Sequence, residues 1–141
     1  MLNKKFTFKT AFTGITRKEA ANLIAQHFGT KAAYKGGQSF VFTILDGNRS
    51  EWRVQMDSGI RAVKAQDGNL VEATTDYKVV VETPPLEYAM LEDTLAAFDV
   101  LYKAGALTNE SCRADVGISS DGSGGNDINC SCNKIFNISY C

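Results

Sequence analysis

The residues able to do chemistry are few and scattered. The chain of 141 residues has one histidine, His27, and four cysteines, Cys112, Cys130, Cys132 and Cys141, all near the C-terminal end. A zinc site would need paired ligands at short spacing, but Cys130-Ser-Cys132 lacks the usual two-residue gap and no second pair answers it. Free thiols are the expectation, since the opening segment has no apolar core that would make it a secretion signal. The Asn-x-Ser sequons at Asn48, Asn109, Asn129 and Asn137 then carry no meaning. His27 falls on the apolar face of a helix with no acid beside it, which reads as packing. The glycine-rich run 121–125 lacks the lysine and helix that would make it a phosphate loop, and reads as linker. Lys4, Lys5, Lys9, Arg17 and Lys18, interleaved with Phe6, Phe8 and Phe12, have the composition of a basic aromatic nucleic-acid surface. Strand alternation sends those three phenylalanines inward, so core is the better reading. By the same reasoning Trp52 is a sheet-face anchor before it is a stacking platform.

The elements that must position these residues follow from periodicity. Residues 4–12 alternate as a strand, and Thr16 with Glu19 forms a capping box that opens a helix ending at Gly29. Gly36 and Gly37 introduce a strand over 38–45, and Asp46 to Arg49 turns it into an antiparallel return over 51–56 carrying Trp52 and Val54 on one face. Residues 60–65 are expected to pair with 69–73 across Gln66-Asp67-Gly68. Val79, Val80 and Val81 read as a buried strand, ended by Pro84 and Pro85, the only two prolines. From about Tyr88 the residues Leu91, Leu95, Phe98, Leu101 and Tyr102 recur at helical spacing up to Gly105. A last strand is expected over 111–118.

This pattern predicts an α+β fold, a mostly antiparallel sheet with two main helices on one face. The expected organisation is a domain over 1–118, a Gly/Ser/Asp linker over 119–127, and a Cys-rich tail over 128–141 that docks as a short strand. Apolar residues make up 44% and charged residues 22% of the chain, which is ordinary for a globular protein. A formal net charge of −1 supplies no global attraction to nucleic acid or anionic membrane. No apolar run approaches the roughly 18–20 residues that a spanning helix needs. The expectation is a cytoplasmic protein with no membrane contact.

Taken in order, several stretches resemble the amidoligase family, ATP-dependent carboxylate–amine ligases related in fold to glutamine synthetase and glutamate–cysteine ligase. They are FTFKTAFTGITR from Phe6, the helix KEAANLIAQHFGT, DGNRSEWRVQMDS from Asp46, VETPPL from Val81 and LYKAGALTNESC ending at Cys112. The resemblance implies half of a glutamine synthetase-like ligase domain. It also implies where catalytic groups should stand. The family's opening strand is written like F-G-x-E-I-E, with two acids aimed at magnesium; Lys9 and Ala11 hold those places here. The strand before the prolines is similar to E-L-V-T-P, and Val80 stands where its glutamate belongs. The family's cysteine precedes G-x-H-V-H, whereas Cys112 precedes Arg113, Asp115 and Gly117. Magnesium sites for phosphoryl transfer need carboxylates, and a lysine among them opposes the ion.

The resemblance therefore implies a catalytically inactive relative with no cofactor and no metal, acting as a binding protein. Phage or mobile-element origin, and occlusion of a host machine in the bacterial cytoplasm, fit that picture. An anti-CRISPR-type inhibitor of a defence nuclease complex is the version to test first. Trp52, Arg53, Asp57, Arg61, Arg113 and Asp115 are the candidate binding residues around the former cleft, beside Lys64. Asp57 reads equally as a turn residue. One alternative is a ligase with a rearranged magnesium site of Asp57, Glu82 and Asp115; another is a nucleic-acid binder using Lys4, Lys5 and Lys9.

Overall fold

The computed structural model describes residues 4–120 and 128–132. The strands are β1 (Lys4–Phe12), β2 (Ala33–Gly36), β3 (Val41–Leu45), β4 (Glu51–Gln55), β5 (Val63–Gln66), β6 (Asn69–Glu72), β7 (Val79–Glu82), β8 (Leu86–Glu87), β9 (Ala114–Ser120) and β10 (Ile128–Cys132). The helices among the described residues are α1 (Arg17–Phe28) and α2 (Leu91–Lys103), with short 3-10 turns at Thr75–Tyr77 and Tyr88–Met90. The fold is α+β, as the periodicity predicts.

Eight strands form one sheet in the order β10-β9-β1-β7-β4-β3-β2, with β8 also pairing β1, and β5–β6 stand apart as a hairpin. Every pairing is antiparallel. Strand alternation gives the sheet two unlike faces. One carries Phe6, Phe8, Phe12, Ile44, Trp52, Val54, Val79 and Val81, buried against Ala20, Ile24, Ala97, Phe98 and Leu101 of the two helices. Phe8 and Trp52 meet Phe98 at ring centroid distances of 5.8 and 6.0 Å, and Phe28 stands edge-on to Trp52 at 5.0 Å. Full burial of each such ring contributes on the order of 2–3 kcal/mol.

Local signals set the helix ends. Thr16 Oγ1 accepts from the Glu19 N–H at 3.1 Å while Glu19 Oε1 accepts from the Thr16 N–H at 3.2 Å, completing the capping box. Gly29 closes α1 with φ 71°, a left-handed conformation that glycine adopts at no steric cost.

Four departures from the sequence reading have physical causes. First, β7 ends at Glu82 before the prolines, as expected, but the pairing to β1 does not stop there. Pairing to β1 resumes in β8, with Lys9 opposite Glu82 but Phe6 opposite Leu86, so Thr83 to Pro85 hold one extra residue as a bulge. Thr83 keeps the ladder intact there: its N–H donates to the Phe8 carbonyl at 2.9 Å and its Oγ1 accepts from the Phe8 N–H at 3.0 Å. Second, β2 has no counterpart in the sequence pattern, because its residues AYKG carry no alternation. Third, β3 begins at Val41; Phe40 turns out of it with φ 51°. Fourth, α2 starts at Leu91, and the ends of its apolar stripe, Tyr88 and Tyr102, are 48% and 57% exposed.

The last expected strand runs Ala114–Ser120 rather than over 111–118, so Ser119 and Ser120 belong to β9. Ile128–Cys132 pairs with it as β10. The rest of the proposed linker, 121–127, and the tail beyond 132, with Cys141, lie outside the described residues. No helix among the described residues is long and apolar enough to cross a membrane.

Candidate functional site

The sheet face away from the helices carries the charged residues, and register sets them in a row. Asp115 of β9 stands opposite Lys9 of β1, Lys9 opposite Glu82 of β7, and Glu82 opposite Arg53 of β4. Acid and base alternate across four adjacent strands. Directly opposed residues bring their Cβ atoms to about 4.5–5.5 Å, close enough for opposite charges to support one another. The row floors a cleft of about 440 Å³ that also takes in Thr7, Glu51 and Gly117. One wall is the bulge, Thr83, Pro84 and Pro85. Three carboxylates, Glu51, Glu82 and Asp115, thus share the cleft with two cations, Lys9 and Arg53.

A smaller recess of about 260 Å³ adjoins it, lined by Lys9, Gln55, Asp57, Ser58 and Val80. Lys9 borders both hollows. Asp57 is exposed, and its Oδ1 accepts from the Gly59 N–H at 2.9 Å while its carbonyl accepts from Ile60 at 3.2 Å. That geometry is an Asx turn.

Beyond Lys9 the same face closes over. Ala11 and Val80, directly opposed, pack with Ile60 and Cys112 into a small buried cluster in which Cys112 is 1% exposed and a free thiol. The loops that bring Ile60 and Cys112 here are tied together. The Arg61 N–H donates to Ser111 Oγ at 2.8 Å, Asn109 Nδ2 donates to the Arg61 carbonyl at 3.0 Å, and Arg61 Nη2 pairs with Glu110 at 2.7 Å.

The six candidate residues therefore divide. Arg53 and Asp115 share the cleft, and Asp57 borders the adjoining recess. Arg61 and Arg113 are exposed on the loop side, where Arg113 offers its carbonyl to the Ala11 N–H at 2.7 Å. Trp52 lies on the opposite face with no exposed surface, its Nε1 donating to Asp46 Oδ2 at 3.2 Å. Sequence reasoning missed Glu51 and the bulge wall. The strand alternation of 51–55 would have placed Glu51 beside Arg53; Pro84-Pro85 is compatible with a bulge but reads equally as a strand end. His27 is not the isolated packing residue expected: Nε2 lies 2.9 Å from Asp93 Oδ1 of α2.

An open antiparallel sheet with helices on one face and a charged cleft on the other defines the class to which this chain belongs. A family model described as "putative amidoligase enzyme" matches residues 5–140, and the chain belongs to that amidoligase family. Neither the curated proteins nor the solved structures contain a match.

The family's chemistry implies magnesium, and the residues present do not fit it where the resemblance would seat it. Ala11 and Val80 stand in a packed apolar cluster, and Lys9 stands between Glu82 and Asp115. An ammonium about 4 Å from a cation repels it by several kcal/mol even at an effective dielectric near 20. Among the described residues no group of three His, Cys, Asp or Glu is arranged to hold a metal ion.

Proposed function

We propose that this chain is a catalytically inactive member of the amidoligase family that works by binding another protein. The observation that carries this reading is Lys9, opposed on one side by Asp115 and on the other by Glu82 at the centre of the cleft. A lysine there neutralises the carboxylates a divalent ion would use. The buried cluster of Ala11, Ile60, Val80 and Cys112 supports the same reading, since it fills with apolar atoms the ground beside the cleft. A chain of this kind, encoded by a phage or mobile element, acts in the bacterial cytoplasm by occluding a host machine, and a CRISPR nuclease complex is the first partner to test. The organisation into a 1–118 domain, a 119–127 linker and a docking tail belongs to the same proposal.

The experiment has two arms. Magnesium with ATP is expected to leave the thermal transition in place, and no phosphate release is expected with amine or amino-acid acceptors. Stoichiometric addition of the protein is expected to block target cleavage by a purified CRISPR nuclease. Phosphate release that vanishes in Glu82→Gln would overturn the inactive reading. Unimpeded cleavage at micromolar protein retires the nuclease partner.

Of the three ligands expected for the ligase alternative, Glu82 and Asp115 line one cleft, together with Glu51. Asp57, the third expected ligand, lies at the neighbouring recess and is engaged in its own turn. The nucleic-acid alternative loses its aromatic component, because Phe6, Phe8 and Phe12 are buried under the helices.

A further inference from the structure

A second concavity, about 390 Å³, lies between the first turn of α1 and the β2–β3 edge of the sheet. Its floor is Arg17, whose side chain is only 6% exposed. Nη1 donates to the carbonyls of Thr75 at 2.5 Å and Lys78 at 3.1 Å, and Nη2 donates to Asp76 Oδ1 at 3.3 Å. Nε is buried and has no hydrogen-bond partner among the described residues. The guanidinium lies 5.0 Å from the ring centroid of Phe40.

Phe42 packs against the core, but the groove's other two aromatic residues, Tyr34 and Phe40, stand outside it. Tyr34 is 58% exposed and rests on Phe42 with ring centroids 4.9 Å apart. Phe40 is 41% exposed and holds φ 51°, a conformation that bulky side chains rarely adopt. Backbone held in such a region points toward function when the surrounding structure enforces it. Exposed rings beside an arginine have the composition of a binding hot spot.

Charge decides what kind of occupant fits. Arg17 and Lys18 line the groove beside the N-terminal turn of α1, where the Glu19 carboxylate already takes the Thr16 N–H. Asp76, the one carboxylate among its lining residues, is engaged by Arg17. An aromatic cage for an ammonium group is therefore disfavoured, because Arg17 already occupies the face of Phe40 and Lys18 adds like charge. Burial lowers the Arg17 pKa from its ordinary value, while the nearby Asp76 and Tyr34 raise it. An incoming carboxylate acts in the same direction as Asp76 and stabilises the buried cation.

We propose that this groove docks an acidic, extended segment of a protein partner, lodging one apolar side chain between Tyr34 and Phe40 with its carboxylates against Lys18 and the first turn of α1. The proposal rests on the binding-protein reading above and deepens it by naming the surface and the chemistry of the partner. The surface lies beyond the charged cleft, so the two are separable by mutation.

The test uses the full chain and three fluorescein-labelled pentapeptides. One has a central phenylalanine flanked by aspartate and glutamate, one has the same phenylalanine flanked by lysines, and one is acidic with a central glycine. Fluorescence polarisation is expected to show saturable binding of the first alone. Amide shifts in a labelled sample should map to Lys18, Tyr34 and Phe40. Lys18→Glu and Tyr34→Ser are each expected to weaken binding at least ten-fold while leaving the far-ultraviolet circular dichroism unchanged. Phe40→Gly, which suits the left-handed backbone and so keeps the fold, should do the same. Preference for the lysine peptide, equal binding of the glycine peptide, absence of saturable binding, or affinity indifferent to all three substitutions would overturn the proposal. Magnesium–ATP turnover measured on the same sample would instead defeat the inactive reading, so the two failures are distinguishable.

Discussion

Position 11 shows how one side chain separates this chain's cleft from a metal site. Ala11 is 7% exposed and packed with Ile60, Val80 and Cys112, so a carboxylate there would be buried without a partner. Ala11→Glu is expected to destabilise the protein by about 3 kcal/mol or more, because an unpaired acid must be desolvated or protonated on folding. Urea denaturation with and without magnesium checks this; a variant as stable as the parent, or rescued by magnesium, would contradict it. Asp46 is the opposite case, a buried acid with its donors in place. It is 2% exposed, and its carboxylate accepts from the N–H groups of Asn48 and Ser50 at 2.9 and 3.0 Å and from Trp52 Nε1 at 3.2 Å. Asp46→Ala leaves those donors behind and is expected to cost about 2–4 kcal/mol, read from the same urea transition. The sequence marked Asp46 as a turn residue, which it is. It could not show that the second carboxylate oxygen reaches the indole, since that contact depends on how the returning strand packs.

Elements with a strong local signal were legible, and those defined by their neighbours were not. β1 and the two ends of α1 could be read directly, because alternation over nine residues and a capping box are local physics. Thr16→Ala is accordingly expected to lower stability by about 1 kcal/mol, seen as a shifted thermal midpoint, with α1 otherwise intact. β2 was illegible because a four-residue edge strand takes its conformation from the strand it pairs with. The charged row across the cleft was legible only in part. Lys9, Glu82 and Asp115 were each singled out from the resemblance, yet their alignment depends on antiparallel registers that no short window of sequence contains. The aromatic groove was missed outright. Alternation places Phe40 inside a strand over 38–45, whereas β3 begins at Val41.

At the scale of the whole molecule, the sheet is protected unevenly. β10 covers the edge of β9, with Ile128 opposite Ile118 and Cys132 opposite Ala114. A chain ending after Ser120 would leave the seven residues of β9 with one row of backbone groups unpaired. Such an edge invites pairing with another copy. That truncated chain is expected to elute in size-exclusion chromatography at a larger apparent mass than the full chain; an unchanged elution volume would show that β10 is dispensable as a cover. The proline bulge poses a different kind of requirement. Before it the inward set is Val79, Val81 and Thr83; after it the inward residue is Leu86, 3% exposed, while Glu87 faces out. The added residue works as a phase slip, switching the chain from odd to even positions in mid-sheet. Swapping either proline leaves the slip in place. Excising one removes the extra residue and the slip together, so the leucine would land on an odd position, still inward and still opposite Phe6, in an uninterrupted ladder.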